Sequence, residues 1–138
     1  MFTTIRTIGA ITRTIQMDSN RYFKEMGLNN NLFIYIIRIC ETPGLFLNEL
    51  ADSIQIDRTT SFRAVQKLVK QGYLTLEKDA HNQKIKRIYP TQKSLDIYPK
   101  LHAYEQQQSD KLLSHLTDDE KEALELLATQ AFHDVNFM

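Results

Sequence analysis

Hydrophobic positions along the chain recur mostly at helical spacing and predict six helices and one short β-hairpin. The first helix spans about Thr7–Met26 and ends at Gly27, where glycine can adopt a left-handed conformation. A second, almost uniformly apolar helix runs over Leu32–Cys40 and is stopped by Pro43-Gly44. A helix that is apolar all round is expected to be buried on most sides.

Two shorter helices joined by a tight turn follow. The third is defined by apolar positions between Leu47 and Ile54, and Asp57 is placed to cap the start of the fourth, which Gly72 closes. This arrangement is typical of a helix-turn-helix. The inward face of the fourth helix is predicted to consist of Phe62, Val65, Leu68 and Val69.

Beyond the fourth helix the pattern predicts a hairpin and two long helices. The strands are Leu74–Glu77 and Ile85–Tyr89, joined by a polar turn. Thr91 can cap the fifth helix, in which Pro99 predicts a kink or an interruption near Leu95. A capping box over residues 117–120 begins the sixth helix. The predicted fold is mainly α, a winged helix-turn-helix with a two-stranded wing. Its flanking N- and C-terminal helices are too apolar for one small core to cover, which favours a dimer.

Charge is segregated along the 138 residues, although the formal net charge is zero. Residues 57–93 contain nine lysines and arginines against three acidic residues, a net of +6, which leaves −6 for the remainder. Because a solvated surface normally mixes both signs, this segment is expected to meet an anionic partner.

The polar side of the fourth helix and the hairpin carry the candidate DNA contacts. Arginine can bind guanine edges with two hydrogen bonds, and threonine or serine can contact phosphates or bases. The candidates on the helix are Arg58, Thr59, Thr60, Ser61, Arg63 and Lys67. On the hairpin, Lys84 and Lys86 are expected on one face and Arg87 on the other, with a salt bridge as the alternative role for Arg87.

From the second helix onward the chain resembles the MarR family of bacterial regulators. The resemblance is carried by Leu50-Ala51, Asp57-Arg58-Thr59-Thr60, the segment 68–74 and the wing from Asp79 to Thr91. The family usually has Asp-Arg-Arg in the wing, where this chain has Asn82-Gln83-Lys84, so that Lys84 stands at the second arginine position and the uncharged Gln83 at the first.

The resemblance implies a single MarR-like domain over residues 1–138, in which 1–30 and 92–138 form dimerisation helices and 31–91 the DNA-binding lobe. It also implies a homodimeric transcriptional regulator that binds an inverted repeat of double-stranded DNA, with half-sites roughly one helical turn apart. Small phenolic or lipophilic effectors, or cysteine oxidation, regulate members of the family. The alternative is a winged-helix module that binds another protein and no DNA.

Other function classes find little support in the sequence. We expect no enzyme, metal or cofactor site, because phosphate-binding loops, nucleophile motifs and metal-ligand clusters are absent from it. No apolar run is long enough to cross a membrane. The single cysteine, Cys40, favours a reducing compartment, and the cytoplasm is predicted. Cys40 could sense oxidation, but its place in an apolar helix favours packing.

Overall fold

The computed structural model describes residues 1–135 and divides the chain into two compact units, Met1–Ala103 and Tyr104–Met138. The last three positions of the predicted dimerisation segment 92–138 lie outside the described residues. The order of elements is α1 (Thr3–Phe23), α2 (Leu32–Glu41), β1 (Leu45–Phe46), α3 (Leu47–Ile54), α4 (Arg58–Lys70), β2 (Leu74–Lys78), β3 (Lys86–Pro90), α5 (Gln92–Leu113) and α6 (Asp118–Val135). The predicted winged helix-turn-helix is confirmed.

The small sheet has three antiparallel strands in the order β1-β3-β2. β2 and β3 form the predicted two-stranded wing, and β1 is a further strand that the sequence analysis did not include. Leu45 lies opposite Ile88, and Leu76 lies opposite Ile88 on the other side of β3. The missed strand, β1, has two residues, which is too short for an alternating pattern to be recognised. Its pairing closes one edge of the wing against the start of α3.

The core of the first unit forms around α2. Six of its ten residues are buried, which confirms the expectation from its uniform hydrophobicity. α2 packs on α3, α4 and β3, and α3 packs on α4. The Phe23 ring stacks on Phe33 with centroids 4.4 Å apart, which attaches the end of α1 to this core. Other fully buried side chains come from every layer of the unit: Leu28, Leu50, Leu68, Leu74, Ile88 and Leu101.

Helix ends follow the predicted local signals, with shifted boundaries. α1 begins four residues earlier than predicted and ends three residues earlier, but Gly27 has φ +70° and closes the turn that follows the helix, as expected. Gly72 likewise has φ +83° after α4, and Tyr73 N–H donates to Leu68 O across it. α5 runs through Pro99, so the predicted interruption is absent, because one lost backbone hydrogen bond does not end this helix.

The second unit contains the end of α5 and all of α6. The predicted capping box at the start of α6 is present: Thr117 N–H donates to Glu120 Oε1 at 2.8 Å, and Glu120 N–H donates to Thr117 Oγ1 at 3.2 Å. No described residue of α6 is buried in the single chain. A long helix with exposed leucines is typical of a surface that another chain covers.

Candidate nucleic-acid interface

The start of α4 is fixed by Asp57, as the sequence predicted. Its carboxylate accepts hydrogen bonds from Thr60 N–H at 2.9 Å and from Thr60 Oγ1 at 2.7 Å. These hydrogen bonds, the one from the Thr60 side chain first, lower the pKa of Asp57, so the carboxylate is charged at neutral pH. Because the cap occupies this N–H group, it is not free to donate to a phosphate.

One exposed face of α4 presents donors that suit DNA. Thr59, Arg63 and Lys67 are all exposed on it, spaced four residues apart. Two further exposed residues, Gln66 and Lys70, share this face and were missed in the sequence. The spacing of three residues between Arg63 and Gln66 could have identified Gln66 as a member of this face. Glutamine is the residue type that can pair with the edge of adenine.

Arg58 is the first residue of α4 and is paired with Asp52 of α3. The Arg58 Nη2 atom is 3.4 Å from Asp52 Oδ2, and both side chains are more than half exposed. A pair in water contributes little stability and exchanges readily for another partner. Arg58 is therefore available to a phosphate.

Ser61 does not belong to the exposed face, and its predicted DNA contact was wrong for the conformation described. Its side chain is fully buried and lies 3.0 Å from the Tyr35 hydroxyl oxygen of α2. Burial is the main cause that raises the pKa of Tyr35, so the tyrosine stays neutral as a hydrogen-bonding group. Ser61 faces the core because it lies on the same side of α4 as Val65 and Leu68.

Phe62 and Val69 were predicted to face inward, and the structure contradicts this prediction. Phe62 is 47% exposed and Val69 36% exposed. Both lie at the margin of the buried stripe; Phe62, for example, is roughly 60° around the helix axis from Val65. Phe62 lines an open groove of about 660 Å³ between α4 and the wing, together with Leu76 and Ile85.

The wing is organised by an ion pair between the buried Asp79 carboxylate and the partly exposed Arg87 guanidinium. Arg87 Nε donates to Asp79 Oδ1 at 2.7 Å, Nη1 donates to Gly44 O at 2.9 Å, and the guanidinium lies 4.2 Å from the centre of the Phe46 ring. The other Asp79 oxygen accepts the N–H groups of His81 and Asn82. The hydrogen bond from Arg87 is the first cause that lowers the pKa of Asp79. Arg87 is thus engaged inside the wing, and the salt bridge, the alternative role considered for it, is present.

The positive charges at the tip of the wing remain exposed. Lys84 lies in the turn, as predicted, two residues before β3, and Lys86 is the first residue of β3. Lys86 also lies directly opposite Lys78 in the sheet. Like charges facing each other across a strand pair are unfavourable, so this arrangement is best relieved by an anion.

Neither a metal-binding cluster nor a membrane-spanning helix is found in the part of the chain that is described. Residues 1–135 contain no group of three or more histidine, cysteine or acidic side chains arranged to hold a metal ion. Within the same residues, no helix has the length and hydrophobicity required to cross a membrane.

Comparison with known proteins agrees with the geometry of the fold. A sequence model of the MarR family matches residues 27–85. The HTH-type transcriptional regulator YybA of Bacillus subtilis (strain 168) is 38% identical over 123 residues, which cover 89% of this chain and 82% of YybA. The crystal structure of the transcriptional regulator SlyA superposes with a TM-score of 0.92 at 35% identity, covering 96% of this chain and 94% of SlyA.

A second solved structure was determined together with nucleic acid. It is a MarR family transcriptional regulator from Listeria monocytogenes in complex with a 26mer DNA, with a TM-score of 0.91 and 33% identity over 95% of this chain and 87% of that one. The identity to YybA over most of both chains, together with the shared winged helix, establishes the relationship. The chain belongs to the MarR family of transcriptional regulators.

Proposed function

We propose that this chain binds double-stranded DNA sequence-specifically, as a homodimer on an inverted-repeat operator, and regulates transcription in the cytoplasm. One observation carries the proposal: the exposed face of α4 and the tip of the wing hold five of the nine basic residues of the positively charged segment 57–93. Arg63, Lys67 and Lys70 lie on the first, and Lys84 and Lys86 on the second. The Listeria monocytogenes relative solved with DNA supports the same partner.

Within this proposal the contacts divide by chemistry. Arg63 and Gln66 are neighbours on α4 and suit the edges of guanine and adenine in a major groove. Thr59 and Thr60 are placed beside them for a base edge or a phosphate. The lysines and Arg58 suit phosphates, which fix the position of the protein without reading the sequence. Arg87 and Ser61 act in this scheme by holding the wing and α4, and not by touching DNA.

The domain organisation follows from the same proposal. Residues 31–91 form the DNA-binding lobe, and residues 1–30 and 92–138 provide the dimerisation helices. The exposed apolar residues of α1 and α6 support this assignment, among them Ile5, Ile8, Leu124 and Leu127. As in other family members, a small-molecule effector is expected to alter DNA binding. No catalytic activity is proposed, since the family consists of transcriptional regulators.

Binding to DNA is tested by electrophoretic mobility shift. The probes are DNA from upstream of the protein's own gene and a random pool carried through rounds of selection. We expect a complex that survives unrelated competitor DNA and weakens steeply with salt, because phosphate contacts release counterions. Failure to bind either probe at low salt would refute the proposal and favour the protein-interaction alternative, whose apolar contacts respond far less to salt.

The division of contacts is tested with two variants on the selected operator. Gln66→Ala should lose about 1–3 kcal/mol of discrimination at one base pair. For operators altered at that base pair, the affinity of the variant should equal that of the wild-type protein. Lys70→Ala, on the same face, should weaken binding to all sequences equally. Equal losses from the two variants at every operator position would contradict base reading by Gln66.

A further inference from the structure

The turn that follows α4 is held by side chains from the first turn of α5. Three successive carbonyl oxygens at the end of α4 and just after it, those of Gln71, Gly72 and Tyr73, each accept a hydrogen bond from residues 91–94 at the start of α5. Lys93 Nζ donates to Gln71 O at 2.8 Å, and Thr91 Oγ1 donates to Gly72 O at 2.6 Å. Ser94 Oγ donates to Tyr73 O, and Thr91 N–H donates to the same oxygen at 3.1 Å. We call Thr91, Lys93 and Ser94 the α5 clamp.

The α5 clamp binds carbonyl groups that would otherwise be hydrogen-bonded only by water. Carbonyl groups at and beyond the end of a helix lack partners within the helix, and the negative end of the helix dipole attracts a cation. The Lys93 ammonium meets both needs and also lies 4.3 Å from the centre of the Tyr73 ring. Its side chain passes over Gly72, where a Cβ would be 3.9 Å from Lys93 Cδ. The end of α4 is therefore joined to α5 by side chains on both sides of a glycine turn.

The two ends of α4 are attached to different helices. Near the start of α4, the Ser61 hydroxyl forms a hydrogen bond with the Tyr35 hydroxyl of α2. At the end of α4, the α5 clamp forms hydrogen bonds with the turn that follows. α5 is a helix of 22 residues that extends from the clamp to Leu113. Any tilt of α4 against α5 must break the clamp, because its hydrogen bonds tolerate little change in distance or angle.

We propose that Thr91, Lys93 and Ser94 are positioning residues that fix the direction of α4 against α5 and thereby select the spacing between operator half-sites. This inference rests on the proposed function, since spacing has meaning only for a dimer on an inverted repeat. The two α4 helices of such a dimer must enter grooves roughly one helical turn apart. A stiff joint between α4 and α5 restricts the spacing that the dimer accepts, and a loosened joint widens it.

Lys93→Met tests the inference, because Lys93 is exposed and its loss should leave the fold intact. Lys100→Met is the matched control, an exposed lysine on the same helix outside the clamp. Affinity is measured on the selected operator and on versions with the half-sites moved apart or together by one and two base pairs. We expect Lys93→Met to lose roughly fivefold or more on the preferred spacing and far less on the others. The control should keep the wild-type spacing profile.

Two further measurements separate positioning from direct contact. The salt dependence of binding should be unchanged in Lys93→Met, whereas loss of a phosphate contact lowers its slope by about one. Amide hydrogen exchange of Gly72 and Tyr73 should become faster without DNA, and exchange in the α2 core should not change. Lys93→Arg, which keeps a donor and a charge, should recover part of the spacing preference.

Three results would overturn the inference. Equal weakening on every spacing with a smaller salt slope would make Lys93 a phosphate contact. An unchanged spacing profile in both Lys93→Met and Ser94→Ala, with wild-type exchange at Tyr73, would show that the clamp positions nothing. If wild-type protein bound operator DNA without any preference for spacing, the inference would fail and the proposed function would stand. Absence of all DNA binding by the wild type would instead refute the proposed function.

Discussion

Arg87 illustrates how one residue changes role when its contacts are known. In sequence it is one of four positive charges on the hairpin, and its partner Asp79 lies eight residues earlier, at the start of the polar turn. In the structure its planar guanidinium serves Asp79, Gly44 O and the Phe46 ring at once, which a lysine could not do. The charge therefore stabilises the wing from within, which leaves the neighbouring Lys84 and Lys86 as the proposed phosphate contacts of the wing.

Replacing Arg87 should affect stability more than DNA electrostatics. Arg87→Met leaves the buried carboxylate of Asp79 without its cation, and we expect a loss of about 1–3 kcal/mol in the free energy of unfolding. The salt slope of DNA binding should stay at the wild-type value. Lys84→Met is the control and should do the opposite, with unchanged stability and a slope smaller by about one. Urea denaturation and salt titration measure both; a smaller salt slope in a stable Arg87→Met protein would restore Arg87 as a DNA contact.

Cys40 should be chemically inert in the native protein. Burial raises the pKa of its thiol to about 11, and the charge of Glu41 adds to the effect. A raised thiol pKa keeps the neutral form below that pH, so the reactive thiolate at pH 8 is about a hundredfold scarcer than in an ordinary cysteine. Iodoacetamide should therefore alkylate native protein far more slowly than urea-unfolded protein, and the native rate should rise until the pH approaches 11. Rapid native alkylation at pH 7 would instead support oxidation sensing.

At the scale of elements, the sequence predicted best what local signals determine. Asp57 caps α4 and Gly27 and Gly72 follow helices as expected, because these positions depend on a few neighbouring residues. The tight turn between α3 and α4 was recognisable for the same reason. The strand pairing of β1 was not, since two residues carry no period and their partner in β3 is about forty residues away.

The candidate site on α4 was predicted only in part, because helical periodicity does not locate the margins of a buried face. Phe62 was assigned inward by its hydrophobicity and Ser61 outward by its polarity, and the structure reverses both. Ser61 can be buried because Tyr35 of α2 supplies a hydrogen-bonding partner, which the sequence does not reveal. Gln66 and Lys70 were missed although each lies three residues after a predicted contact, Arg63 and Lys67, at a spacing that places it on the same face.

The contact between α2 and α4 is expected to stabilise the fold. Ser61→Ala leaves the buried Tyr35 hydroxyl without this partner and should cost about 1–3 kcal/mol of unfolding free energy. Tyr35→Phe with Ser61→Ala should cost less than the sum of the two single changes, since both remove one interaction. Thr59→Ala, exposed on the same helix, serves as the control and should change stability by less than about 0.5 kcal/mol. Wild-type stability of Ser61→Ala combined with weaker DNA binding would reinstate a direct contact.

At the scale of the whole molecule, positive charge and exposed apolar residues lie on different parts of the chain. The formal net charge is zero, yet the segment 57–93 is strongly positive and the rest of the chain negative. The negative remainder includes α6, whose first turn is acidic and whose leucines are exposed. Under the proposed function, the positive surface binds DNA, and the exposed apolar residues of α6 contact a second copy of the chain.

Leu127 of α6 tests this assignment, because its side chain is 62% exposed in the single chain. A carboxylate buried there between two copies would be strongly unfavourable, so Leu127→Asp should shift the protein to monomers at micromolar concentration. Operator affinity should then fall by about a hundredfold or more, since the two half-sites are no longer bound by linked lobes. Weak binding to a single half-site should persist, which shows that the lobe is folded.

Analytical ultracentrifugation and mobility shift on full and half operators measure these effects, with Glu122→Gln, an exposed change on the same helix, as the control. The control should remain dimeric with wild-type affinity, because it adds no charge to the apolar stripe. A Leu127→Asp protein that stayed dimeric and bound the full operator normally would place the interface elsewhere than on α6. A monomer that still bound the full operator as tightly as wild type would mean that each lobe binds alone, and the homodimer would then have no part in recognising an inverted repeat.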